Sequence, residues 1–171
     1  MRNLFIAAGV LSIVAYAVVG AFMMNLWAVE AASEVPLATA IADMKAAGQF
    51  YTPVGGYVFA TVGIALALMW AFMVIKAGAI LPAWAAVMLW AGILTLGAVS
   101  YFFNSFGNLN SVGDTYADWN ADAAWALERP LYQISFAALC VALAAPLVAF
   151  FTSRIRKRTG TTPQVDGTTP S

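Results

Sequence analysis

The chain has no histidine, a single cysteine and very little charge. Without histidine it lacks the usual haem ligand, the commonest zinc and copper ligand and the commonest general base, so haem is not expected. The lone thiol, Cys140, excludes an intramolecular disulfide framework. It lies in an apolar run, where a thiol reads most simply as a small hydrophobic side chain. Charged residues make up 9% of the 171 residues and hydrophobic ones 63%, with a mean hydropathy of +0.82. A soluble domain usually carries about 25% charged residues.

The apolar residues fall in four long runs free of Asp, Glu, Lys and Arg. Each is long enough to cross a hydrocarbon layer of about 30 Å as a helix. In lipid, only helices and closed barrels satisfy their own backbone groups. The runs lack the alternation of barrel strands. The expected fold is therefore all-α and membrane-integral: four transmembrane helices arranged as two antiparallel hairpins, with short amphipathic helices in both outer loops. The spans are expected at about 3–27, 55–75, 80–104 and 131–152. The N-terminal run is too long for a signal-peptide core and is expected to remain as a span. Pro82 fits a first helical turn, and Pro146 is expected to kink the fourth span.

Residues 1–153 form the expected transmembrane domain. Residues 154–171 form a tail that starts basic and becomes rich in Thr, Pro and Gly, a composition that alone favours disorder. Basic residues set the orientation. Arg2, Lys76, Arg154, Arg156, Lys157 and Arg158 lie on one side, and only Lys45 and Arg129 on the other. The first side is then cytoplasmic, with both chain ends there and the protein in the plasma (inner) membrane. The outer loops hold 7 acidic residues against 2 basic ones.

In the first outer loop, Ser33 is expected to cap a helix beginning Glu34-Val35-Pro36, with Val35, Leu37, Ile41 and Met44 as its apolar stripe and Gly48 as its stop. In the second, Asp114 is expected to cap a helix from Thr115 to Arg129, ended by Pro130. Trp119 and Trp125 suit the membrane interface. Some residues echo between the halves 1–78 and 79–153, such as Phe22-Met-Met-Asn25 and Tyr101-Phe-Phe-Asn104. A parallel duplication and chance resemblance both account for this.

Few residues carry chemistry. No Asp, Glu, Lys or Arg falls within the expected spans, which argues against a pump or proton-coupled carrier and leaves a channel or facilitator open. Asn25, Asn104 and Gln133 stand near the outer ends, either as interhelical hydrogen-bonding groups or as a polar vestibule. Asp114, Asp118 and Asp122, spaced i, i+4, i+8, would share one helix face. That face is either solvated or a dock for a basic partner or a cation. No metal ligand set and no catalytic or cofactor-binding residue is assigned. Arg154, Arg156, Lys157 and Arg158 suit anionic lipid headgroups. These features together suggest a non-catalytic accessory subunit of a larger membrane complex of respiratory, photosynthetic or membrane-oxygenase type. The expected partners are other membrane subunits and lipids, with no nucleic acid. A small homo-oligomeric channel and a lipid-acting membrane enzyme working through outer carboxylates are the alternatives.

Overall fold

Every regular element follows from the demand that a chain in hydrocarbon satisfy its own backbone. The structure, a computed structural model, describes residues 2–77 and 80–159, the side chains of 156–159 excepted. Gly78 and Ala79 of the expected turn, the tail from 160 onward, and the side chains of Arg156, Lys157 and Arg158 lie outside the described residues.

The described residues form helices and no strand: α1 (Arg2–Phe22), a π-helical segment (Met23–Trp27), α2 (Ala28–Ser33), α3 (Leu37–Ala46), α4 (Val54–Lys76), α5 (Ala83–Thr115) and α6 (Ala121–Thr159). The first three run on without a break from Arg2 to Ser33. Four helices are long and apolar enough to cross a membrane, so the chain is built as a multi-pass membrane protein.

Helix lengths decide what lies beyond the hydrocarbon. At 1.5 Å per residue, α4 measures about 35 Å, close to one bilayer core. The 33 residues of α5 reach about 50 Å, roughly 20 Å more than the core needs. Both helices meet at the Lys76–Ala83 turn, so the surplus projects at the opposite end. There it joins α2, α3 and the start of α6 in a cap.

Two pairs of neighbours run antiparallel. Along α1 and α4, Gly9 faces Trp70, Ala17 faces Gly63 and Gly20 faces Phe59. Along α5 and α6, Tyr101 meets Glu128 while Leu94 meets Ser135. Small residues let the backbones approach, as helices in lipid require. A Cβ on Gly63 would lie 2.4 Å from the Cβ of Ala17. The interior is filled by large side chains: Ile13, Met24, Trp70 and Tyr101 are all at most 2% exposed. The indole of Trp70 donates to Ala86 O at 2.9 Å, and that of Trp90 donates to Ser12 Oγ at 2.9 Å.

Both outer loops depart from the sequence reading. The first helix does not begin at Glu34. Ser33 is instead the last residue of α2, where its hydroxyl donates back to Val29 O at 2.8 Å. Glu34 turns left-handed at φ 57°. Pro36 then starts α3, and the Glu30 carboxylate accepts from Leu37 N at 2.8 Å. A carboxylate brought from α2 thus replaces the expected local cap. At the far end Gln49 N donates to Met44 O and Gly48 N to Lys45 O, the pattern in which glycine ends a helix in the left-handed region; Gly48 has φ 76°.

The second loop holds no separate helix from Thr115 to Arg129. α5 continues to Thr115, the chain turns over 116–120, and α6 begins at Ala121 and passes through Pro130. The cap of α6 is Asn120, whose Oδ1 accepts from Ala123 N at 2.9 Å. Hydropathy drops at Asn104 and at Glu128-Arg129-Pro130, but the helices do not stop there. Their polar ends pack against α2 and the loops and remain helical beyond the apolar stretches.

Candidate functional site

The acidic stripe does not form. Asp114 sits in the last turn of α5, Asp118 in the turn after it and Asp122 in the first turn of α6. All three are exposed. The i, i+4, i+8 spacing means one face only while a single helix runs through it, and the chain reverses between Thr115 and Ala121. Asp122 instead lies where a helix N-terminus favours negative charge. Among the described residues, no three His, Cys, Asp or Glu side chains gather as a metal site.

The three amide residues are placed differently from one another. Asn25, in the π-helical segment, donates from Nδ2 to Pro53 O at 2.9 Å and packs against Gly56. Its Oδ1 is buried without a hydrogen-bond partner. π-Helical turns inside longer helices recur at functional sites. Asn104 donates within its own helix to Ser100 O at 2.7 Å and lies beside Gly55. Gln133 is exposed on α6. No hydrogen bond joins the three. Arg154 stands over the Phe150 ring at 4.8 Å and is exposed.

The most tightly organised polar residue here is one the sequence reading passed over. Asn108, 3% exposed on α5, accepts from Thr52 N at 3.0 Å and donates to Thr52 O at 2.9 Å and to Met24 O at 3.4 Å. It clamps the loop before α4 onto the π-helical segment. Ser111, one turn higher, donates to Phe50 O at 2.7 Å, and Tyr51 donates to Asn25 O at 2.6 Å. Burial pushes the Tyr51 phenol up, and Tyr57 adds to the effect. Further out, Tyr116 donates to Asp43 Oδ2 at 2.7 Å and Asn120 donates to Glu34 Oε1 at 2.7 Å. Burial first, then the hydrogen bond to Asp43 and its charge, push the Tyr116 phenol up to about 12.

Below this seam lies a buried ionisable group. The sequence reading placed Glu128 in a loop outside the fourth span. α6 starts ten residues earlier than expected and carries Glu128 into the bundle, where it is 6% exposed. Its Oε1 accepts from the hydroxyl of Tyr101, itself 0% exposed, at 2.7 Å. Rings surround the pair: Phe59 meets Tyr101 at 6.0 Å, Tyr132 meets Tyr101 at 6.0 Å and Trp125 meets Tyr132 at 5.3 Å. One to two turns further along α6, Ser135 bridges Tyr16 Oη at 2.9 Å and Leu94 O at 2.7 Å. A largely apolar cleft of about 410 Å³ opens there, with Tyr16, Trp90, Leu94, Leu131 and Ala138 in its wall.

A buried acid at a helix contact can hold or release a proton or donate a hydrogen bond. No family model, curated protein or solved structure matches the chain.

Proposed function

We propose that this protein is a non-catalytic structural subunit of a larger membrane complex, seated there through α6. The observation behind this reading is the bareness of that helix. In the most apolar stretch of α6, 11% of residues are buried by the rest of the chain, against 28% for the span that starts at Arg2. The bare face is rich in small residues. With Trp84 and Val87 of α5 it forms a shallow apolar groove of about 410 Å³ along Val141, Ala145 and Ala149. In lipid, faces of small residues favour close approach by another helix over contact with acyl chains. The occupant is a transmembrane helix of a different subunit. The four spans then work as two antiparallel hairpins under an amphipathic outer cap. Both termini are cytoplasmic, in the plasma (inner) membrane, following the basic residues at the inner helix ends.

Purification of the untagged protein from its native membrane in mild detergent, followed by native mass spectrometry, tests the reading. Other chains in fixed ratio are expected, and they should dissociate when Ala145 and Ala149 are replaced by Leu. A lone chain or a pure homo-oligomer overturns it.

One observation favours a second reading, that of a lipid-acting enzyme. The apolar cleft beside Tyr16 and Ser135 begins within about two turns of a buried carboxyl. Turnover of membrane lipid by the purified chain, lost in Glu128→Gln, would establish it. A channel finds less support, because Trp70, Tyr101 and Met24 fill the interior of the single chain.

A further inference from the structure

We propose that Glu128, held by Tyr101, is a proton-binding site: a carboxyl carried neutral inside the bundle that exchanges its proton with water on the outer side. The proposal stands independently of any partner subunit.

Geometry carries it. Glu128 retains 6% of its surface, which leaves a narrow edge for proton exchange. Its partner Tyr101 packs against Phe59, five residues inside α4. An isolated carboxylate in such surroundings is costly, and a buried acid without a counter-charge takes up a proton instead. None of the described groups supplies a counter-charge. From α5 the acid faces the neutral phenol of Tyr101. From α1 the nearest titratable group is Tyr16, engaged with Ser135. On α6 itself Tyr132 lies one turn on, and Arg129 is exposed. The titratable residue of α2, Glu30, is committed to Leu37 N. The π-helical segment has none, and on α4 Tyr57 and Lys76 lie at the two exposed ends. The ligand that balances the charge here is then a proton.

Tyr101 has a defined part. Its hydroxyl donates to the carboxyl, so it stabilises the ionised form and lowers the proton affinity that burial raises. When the site empties, the proton passes to outer water, Tyr101 keeps its own proton, and one negative charge remains on Glu128.

An apolar carbodiimide reads the site directly in the full chain reconstituted in lipid vesicles. The carboxyl proton moves to a carbodiimide nitrogen, the carboxylate oxygen bonds to the central carbon, and the acyl group then migrates to nitrogen. The adduct therefore carries the summed mass of both reactants. Peptide mass spectrometry across a pH series is expected to show Glu128 labelled at pH 7 while Asp114, Asp118 and Asp122 stay unlabelled. Labelling should fall at higher pH. Tyr101→Phe should move its midpoint upward by about one pH unit, roughly tenfold in proton affinity. Glu128 unlabelled at pH 7, or labelled only in the acid range together with the three exposed aspartates, overturns the proposal. An unshifted midpoint in Tyr101→Phe removes the role of Tyr101.

Discussion

The outer third of this bundle and its inner two thirds are held together by different means. In the outer third side-chain hydrogen bonds to loop backbone or to other side chains join the packing of Val29, Ala40, Met44 and Val112: Asn108 to Thr52, Ser111 to Phe50, Asn25 to Pro53, Tyr116 to Asp43 and Asn120 to Glu34. In the inner part the helices touch through small residues and rings, with a few bonds such as Trp70 to Ala86 O. The cause is the solvent. A helix in hydrocarbon already satisfies its backbone, so packing alone remains to be optimised. Above the hydrocarbon the chain leaves helical geometry at 47–53 and 116–120. The loop groups so exposed need partners wherever they are covered.

The inner part should therefore fail by steric insult, with the largest effect expected at Gly63→Leu. Gly63→Ala places a methyl group 2.4 Å from the Cβ of Ala17, and neither atom sits on a flexible arm that can swing away. The helices must separate, at a cost of about 1–3 kcal/mol, more for Gly63→Leu. Thermal unfolding in detergent measures it. The double variant Gly63→Ala with Ala17→Gly should recover most of the loss, because it returns the missing space from the other side. Failure of that rescue would show that α1 and α4 do not meet in this register.

The outer part should fail by polar loss, and two asparagines on one helix sharpen the point. Asn108→Ala leaves both the N–H and the C=O of Thr52 without their side-chain partner, which should cost about 2–3 kcal/mol and loosen the loop before α4. Asn104→Ala removes only bonds to Ser100 in its own helix and should cost less than about 0.5 kcal/mol. Amide hydrogen exchange at Thr52 should rise in the first variant and stay unchanged in the second. Equal losses would contradict the division between a clamping and a self-satisfied asparagine.

The same division explains what was legible in the sequence. Four spans follow from hydropathy alone, because a helix in lipid has to be apolar throughout. Their outer limits do not, since beyond the hydrocarbon a helix is free to be polar. Asn104 through Thr115 and Ala121 through Pro130 therefore read as loop while folding as helix. That misreading produced the supposed acidic stripe and hid the burial of Glu128. Asn25 and Asn104 stood out as polar residues at span ends, yet Asn108 binds more partners than either. Its role depends on Thr52, 56 residues away, a pairing that no local pattern encodes. Pro130 looked like a helix stop, but its place inside α6 shows that tertiary packing overrides a local breaker.

A weaker effect than the loss of Asn108 lies at the top of the cap, where water competes most. Tyr116 and Asp43 tie α3 to the end of α5 through one hydrogen bond of 2.7 Å, and Tyr116→Phe should cost less than about 1 kcal/mol. Its pH dependence is more telling than its size. The folded phenol is raised to about 12 from an unfolded value of 10.0. Below pH 10 both states hold the proton and the bond's contribution is whole. Between pH 10 and 12 the unfolded chain gives up the proton first, so the contribution drains away as pH rises. The stability difference between wild type and Tyr116→Phe should accordingly be flat up to about pH 10 and shrink above it. Subtracting the variant cancels the other tyrosines. A difference that stays constant through pH 12 would mean that Asp43 does not hold this phenol, and that the outer cap is fastened to α3 by the buried side chains of Ala40 and Met44 rather than by hydrogen bonds.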